Sequence, residues 1–202
     1  MLGLGSSLAL GGVTSEFNIL STSPDLWLQF NTGQTTPDLD RDGDNDIQWA
    51  DSSGNGNNAS STIDAKQGSF SDGAWSSADN SDHLVLDSNI TLADDYTIFI
   101  VFTVENTSDT FIGGPTTADF MRFGQGNNPA SMRTKHSGNT NNFTFGTNPS
   151  TGKGMFKISR NADGDEFTVT QNSTTTLIDA ADVNGSNFVV SKIPAGAAGL
   201  AD

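Results

Sequence analysis

Apolar residues recur at every second position in short runs along this chain, the period of a strand and not of a helix. Leu26, Leu28 and Phe30 fall on one face of an expected strand over Asp25–Phe30, with Trp27 on the other. Ile47–Trp49, His83–Leu86 and Ile90–Leu92 are further short runs. Tyr96–Val104 is nearly continuous in β-branched and aromatic residues, the pattern of a central strand with both faces covered. Others follow at Thr110–Ile112, Phe120–Phe123, Ser131–Lys135, Asn142–Phe145, Met155–Arg160, Glu166–Gln171, Thr176–Ile178 and Asn187–Val190, separated by turns rich in Gly, Asn and Pro. Asn161–Asp165 carries the Asp-Gly signal of a hairpin. About a dozen strands at such spacing predict an all-β, antiparallel two-sheet sandwich or jelly roll. Between residues 60 and 82 the chain is Ser-, Asp- and Gly-rich, with Phe70 and Trp75 as isolated apolar anchors.

The expected strand over Ile47–Trp49 runs into Ala50-Asp51-Ser52-Ser53-Gly54-Asn55-Gly56-Asn57-Asn58-Ala59. Gly and Asn reach positive φ at little cost, so this run forces a sharp reversal, and Asp51 is placed to cap its entrance. The run resembles the W-x-D-x-S-G-N-G-N-x-A turn found early in concanavalin A-like, laminin-G-like β-sandwich domains. Leu26-Trp27-Leu28 before it and Thr97-Ile98-Phe99-Ile100-Val101-Phe102 after it fit the same plan. The resemblance implies a concanavalin A-like jelly roll over residues 25–202, preceded by an extended N-terminal arm over residues 1–24. It implies no single function, because such sandwiches serve as lectins, glucanases and structural modules.

Charge narrows the classes of function. The chain holds 24 acidic and 9 basic side chains, a net charge of −15, and only Glu16, Glu105 and Glu166 are glutamates. Acid that is mostly Asp belongs to turns and loops. The sign disfavours nucleic acid and anionic membranes as partners. With no cysteine there is no disulfide framework, zinc-thiolate site or thiol nucleophile.

Met1–Val13 is apolar, uncharged and Gly-rich, without the basic start and long apolar core of a signal peptide. A passive leader is one reading. An arm inserting into a neighbouring subunit is the favoured one, because four freely exposed leucines are a liability. The resembling domains close with one more apolar strand, whereas Pro194–Asp202 has little strand character. This predicts an open edge beside the central strands, completed by a neighbour in an oligomer or by sequence beyond residue 202.

Asp38-Leu39-Asp40-Arg41-Asp42-Gly43-Asp44-Asn45-Asp46 fits D-x-D-x-D-G-x-x-D, the spacing of calcium loops. Asp38, Asp40, Asp42 and Asp46 are expected to ligate Ca²⁺ through carboxylates, with the Asp44 carbonyl assisting. Position twelve, where an EF-hand places a bidentate Glu, is Trp49. The alternative is a solvated acidic loop. Retaining glucanases need two carboxylates about 5–5.5 Å apart on one strand face. The scattered glutamates and the carboxylate-free run Tyr96–Val104 do not supply them, so no catalytic residue is assigned. His83 and His136 have no partner identifiable from sequence. For glycan stacking, Trp75 and Tyr96 are the candidate ligand-binding platforms; the favoured reading of Trp75 is an anchor for a long loop, and Trp27 and Trp49 read as buried supports.

Taken together, Met-Leu-Gly-Leu-Gly-Ser-Ser-Leu at the start, the Leu-Trp-Leu run, the Ser-Gly-Asn-Gly-Asn turn and Thr97–Phe102 are similar to structural proteins of tailed phages of the marine cyanophage type. That likeness implies a non-enzymatic, multi-copy virion protein (capsid decoration, neck or tail-fibre component) contacting other virion proteins, copies of itself, or host-surface glycans. Assembly in a reducing cytoplasm agrees with the lack of cysteine. The rival is a carbohydrate-binding, lectin-like module of a bacterial surface protein.

Overall fold

The computed structural model describes residues 22–77, 79–104, 110–125, 128–144, 152–161, 166–171, 174–179 and 187–194. The expected arm over Met1–Val13 and the Pro-Ala-Gly segment after Pro194 lie outside the described residues. Described residues hold fifteen strands and no α-helix: β1 (Gln34–Thr35), β2 (Ile47–Trp49), β3 (Ala59–Ser61), β4 (Ser69–Ser71), β5 (Ala74–Ser76), β6 (His83–Leu92), β7 (Tyr96–Val104), β8 (Thr110–Gly113), β9 (Phe120–Gln125), β10 (Asn128–His136), β11 (Asn139–Thr144), β12 (Gly152–Asn161), β13 (Glu166–Gln171), β14 (Thr174–Asp179) and β15 (Phe188–Pro194). A single 3₁₀ turn, Asp64–Lys66, separates β3 from β4. The protein is all-β, as the period-2 pattern predicts.

Nine strands form one antiparallel sheet in the order β1-β2-β3-β6-β15-β8-β9-β10-β11, and four form a second in the order β14-β13-β12-β7. A hairpin of β4 and β5 stands apart from both. Both sheets contribute to one shared core, which contains Leu84, Ile112, Met121, Met132 and Phe188 from the larger sheet and Ile98, Phe156, Ile158 and Phe167 from the smaller. Each fully buried side chain of this size contributes about 1.5–3 kcal/mol. Leu26 and Leu28 enter the same core from the segment before β1.

Several expectations change. Asp25–Phe30 does not form a strand; its only ladder contact is an isolated bridge between Leu28 and Asp51. The segment bends where Thr32 N–H bonds the Gln29 carbonyl and Asn31 takes φ 54°, and this turns Phe30 out to 44% exposure. His83–Leu86 and Ile90–Leu92 belong to one strand, β6. It bulges between Val85 and Ile90, opposite Lys192 and Val190. Phe70 and Trp75 are not isolated anchors, because they are directly paired across the β4–β5 hairpin. The final strand is longer than expected and lies between β6 and β8 in the middle of the large sheet.

β7 is not central. Among the described residues it pairs only with β12 and forms one margin of the four-stranded sheet. Tyr96, Ile98 and Ile100 are buried, while Thr97, Phe99 and Val101 are half-buried on the outer face. Over Tyr96–Val101 its apolar run has one dry face and one partly covered face.

Candidate functional site

The acidic loop joins β1 to β2 and folds on its own carboxylates. Asp40 Oδ1 accepts from the Asp42 N–H at 3.2 Å, and Asp42 Oδ1 accepts from the Asp44 N–H at 2.9 Å. Arg41 and Gly43 take φ of 67° and 97°, and these two positive-φ positions tighten the reversal. The result is a run of Asx turns that gathers the exposed side chains of Asp38, Asp40 and Asp42, with one carboxylate oxygen from each lying within 4.8 Å of the others. Ca²⁺ sits about 2.3–2.6 Å from its oxygens. Two ligands on one ion are therefore at most about 5 Å apart, and the three oxygens meet that limit.

Asp46, predicted as a further carboxylate ligand, is placed differently. Asp46 is 2% exposed, and its Oδ2 accepts from the N–H groups of Leu39 and Asp40 at 2.6 and 3.3 Å. Its own N–H bonds the Pro37 carbonyl. Asp46 thus ties the loop to its base, and this corrects its expected role as a ligand on equal footing with Asp38, Asp40 and Asp42. Asp64, on the 3₁₀ turn, lies near enough to Asp44, Asp42 and Asp46 to feel their charge. Asp64 is a residue the sequence reading missed, since no spacing rule links it to the loop.

The electrostatics of the loop are those of crowded anions. Displaced water, the charges of Asp42 and Asp46 and a hydrogen bond shared with Asp42 raise the Asp40 carboxyl above the ordinary range, outweighing the Asp42 N–H that lowers it. Asp64 is raised likewise, by displaced water first and then by Asp44, Asp42 and Asp46. A cation is the simplest relief of such repulsion, and hard carboxylate oxygens suit Ca²⁺.

The turn after β2 is a second knot of side chains. Asp51 Oδ1 accepts from the N–H groups of Trp27 and Ser53, both at 2.9 Å, while Oδ2 accepts from Ser53 Oγ at 2.6 Å and Asn57 N–H at 3.0 Å. Asn58 Oδ1 accepts from the Asp51 N–H, and its amide donates to Asp87 of β6. Asn55 donates to the carbonyls of Pro24 and Asp25, and Asn57 to that of Asp25. Partial burial raises the Asp51 carboxyl, but hydrogen bonds from Ser53, Trp27 and Asn57 together outweigh it and hold the group below its usual range.

The two candidate glycan platforms part company. Tyr96 is 8% exposed and sits in the core, because it lies on the same inward face of β7 as Ile98 and Ile100; this corrects its expected role as a stacking surface. Its hydroxyl lies 3.2 Å from Nε2 of the fully buried His136, and Phe188 and Phe167 complete the surroundings of that imidazole. Burial, reinforced by the nearby Arg160, pushes His136 down to about 4. Trp75 is half-buried against the core, and its indole N–H donates to the Gln67 carbonyl at 2.8 Å, as a loop anchor would. Of the presumed supports, Trp27 is buried, while Trp49 is half-buried edge-on to Phe70. No protein-family model, no curated protein and no solved structure matches this chain.

Proposed function

We propose that this chain is a non-enzymatic structural protein of a tailed-phage virion, present in many copies and built as a concanavalin A-like jelly-roll sandwich. The observation that supports this reading is how the Ser-Gly-Asn-Gly-Asn turn spends its side chains. Asp51, Asn55, Asn57 and Asn58 are all committed to hydrogen bonds within the chain, between the turn, residues 24–27 and β6. The motif that carries the resemblance therefore works as a structural clasp. Trp75, with its indole N–H and inner face engaged, adds no support to the lectin alternative.

Within this reading the β1–β2 loop binds Ca²⁺ through Asp38, Asp40 and Asp42, with Asp46 holding the loop's shape. The cation neutralises the crowded carboxylates and stiffens an exposed connection, a useful property for a protein that has no disulfides outside a cell. Stoichiometric recovery from purified particles by quantitative mass spectrometry tests the virion assignment. Absence from particles, with saturable and Trp75-dependent binding on a glycan array, would replace it with the surface-lectin reading.

A further inference from the structure

We propose that the outer face of β9 and β10 binds a small tetrahedral oxyanion, a phosphate or a sulfate group, between Arg122 and Arg133. This does not depend on the virion reading. Arg133 pairs with Arg122 directly across the two strands, and Lys135 follows Arg133 on the same face, with Phe120 as its partner. Met121, Met132 and Thr134 alternate with them and are fully buried on the core side, whereas the three cations are half-buried. Side chains directly opposite in an antiparallel pair stand about 4.5–5.5 Å apart at Cβ, and like charges placed there destabilise the pair. Among the described residues no carboxylate pairs with either guanidinium. Burial first, and then the charge of Arg133, hold the Arg122 guanidinium below its ordinary value.

The surroundings favour an anion, and a small one. Residues 110–144 contain three of the nine basic side chains and one of the 24 acidic ones. That acid, Asp119, is buried and accepts from the Ser137 N–H at 2.9 Å. The excess of negative charge thus belongs to the rest of the chain, and in physiological salt a small ion responds mainly to charges within about 8–10 Å. An extended polyanion would have to run beyond that distance over a strongly negative molecule; a single phosphate or sulfate group does not. The cations are also held in place. The Arg122 guanidinium carbon lies 5.5 Å, and the Lys135 ammonium 5.9 Å, from the centre of the Phe120 ring. Arg133 Nε donates to Asn142 Oδ1 at 2.8 Å, which leaves its two terminal nitrogens for a ligand. Thr110, 1% exposed, stands opposite Arg122 on β8, and neither its Oγ1 nor Arg122 Nε has a hydrogen-bond partner. Unpaired buried donors cost free energy, and an oxyanion beside Arg122 supplies the acceptor that Nε lacks. Planar guanidinium forks match the oxygens of phosphate and sulfate, and the anion's charge cancels the repulsion between the two arginines.

Thermal melting of the full chain in EGTA, at constant ionic strength, should show Tm rising saturably with phosphate and with sulfate but not with chloride. The two anions are titrated separately, because phosphate and sulfate esters share this geometry, and the tighter one names the class of ligand. Arg133→Gln should respond in two opposite ways. In chloride it should melt at or above the parent, because the repulsion is gone, and with either oxyanion it should gain nothing. Arg122→Gln should lose the anion response as well, whereas Lys157→Gln, at an exposed position of β12, should keep it. In the parent, the side-chain Nε–H NMR signals of Arg122 and Arg133 should shift on titration, with those of the other two arginines, Arg41 and Arg160, staying still. A parent whose Tm follows ionic strength alone, or a rise that survives in both arginine variants, would overturn the proposal. If a variant does not fold, the parent's NMR titration decides alone.

Discussion

The main-chain N–H of Trp27 donates to Oδ1 of Asp51 at 2.9 Å, across 24 positions of sequence, while the Trp27 carbonyl accepts from Ser52. A segment that lacks regular pairing is thus satisfied by a side chain from a turn. This places Leu26 and Leu28 in the core without a strand to carry them.

Removing that carboxylate should be costly. Asp51→Ala strands the N–H groups of Trp27, Ser53 and Asn57, and leaving buried donors unpaired costs about 1–3 kcal/mol each, without simple additivity. A loss of about 2–4 kcal/mol in urea unfolding is expected. A midpoint equal to that of the parent would show that water replaces the carboxylate freely. Since the folded carboxyl is held low, its contribution is complete above the unfolded value near 3.9 and fades as pH falls through the lower folded one.

His136 acts in a different window. Its folded value of about 4 lies below the free value of 6.5, so the unfolded chain binds the proton more readily. The neutral imidazole's contribution is complete above pH 6.5 and is lost on descent towards 4, a change on the order of 3 kcal/mol. His136→Gln retains a partner for the Tyr96 hydroxyl but does not titrate. The stability of that variant should be flatter between pH 6.5 and 4, read by urea midpoints at each pH. An unchanged slope would place the acid sensitivity elsewhere.

Calcium should stabilise the folded chain. At a hundredfold excess over Kd the gain is about 2.7 kcal/mol, read as a rise in Tm relative to EGTA. Asp40→Asn/Asp42→Asn should abolish the rise. Affinity should weaken as pH falls, because Asp40 and Asp64 take up protons earlier than ordinary carboxylates. Coincident melting curves with and without EGTA would leave a merely solvated loop.

Two glycine substitutions separate strain from collision. Gly68 takes φ 64°, and an added Cβ would lie 2.5 Å from the Ser76 carbonyl oxygen and 3.0 Å from the Trp75 indole nitrogen. Gly54 takes φ 92° with open space around it. Gly54→Ala should cost about 1–2 kcal/mol from the left-handed backbone alone. Gly68→Ala should cost clearly more and shift Trp75 fluorescence. Equal effects would mean that the β4–β5 hairpin yields without loss.

Strand existence was legible because period-2 alternation is a local property. Glu166–Gln171 appears with its expected bounds, and Ile47–Trp49 likewise. Neighbourhood was not legible. The run Tyr96–Val104 has the composition of an interior strand, yet nothing within it records that, among the described residues, it pairs on one side only. Asp25–Phe30 alternates correctly, but its backbone partners come from a side chain and a turn. β4 and β5 were hidden because each carries one aromatic residue among Ser, Asp, Gly and Ala. In the acidic loop the spacing foretold the grouping of Asp38, Asp40 and Asp42. It could not show that Asp46 turns inward or that Asp64 approaches, since both depend on tertiary placement. His136 and Tyr96 stand 40 positions apart, beyond any spacing rule.

The position of β15 bears on how the chain acquires its fold as it is made. β6 and β8 are both neighbours of β15, and Leu92 pairs with Phe188. Contacts spanning roughly a hundred residues slow folding, because the intervening loop must be closed before the contact forms. During synthesis the middle of the large sheet stays vacant until residues 188–194 leave the ribosome, with β6 and β8 present but not yet bridged. At about 5–20 residues per second, that interval lasts several seconds. For that time the nascent chain exposes the facing margins of β6 and β8, two interior strands, and its safest course is to fold late, all at once, after the keystone strand has arrived.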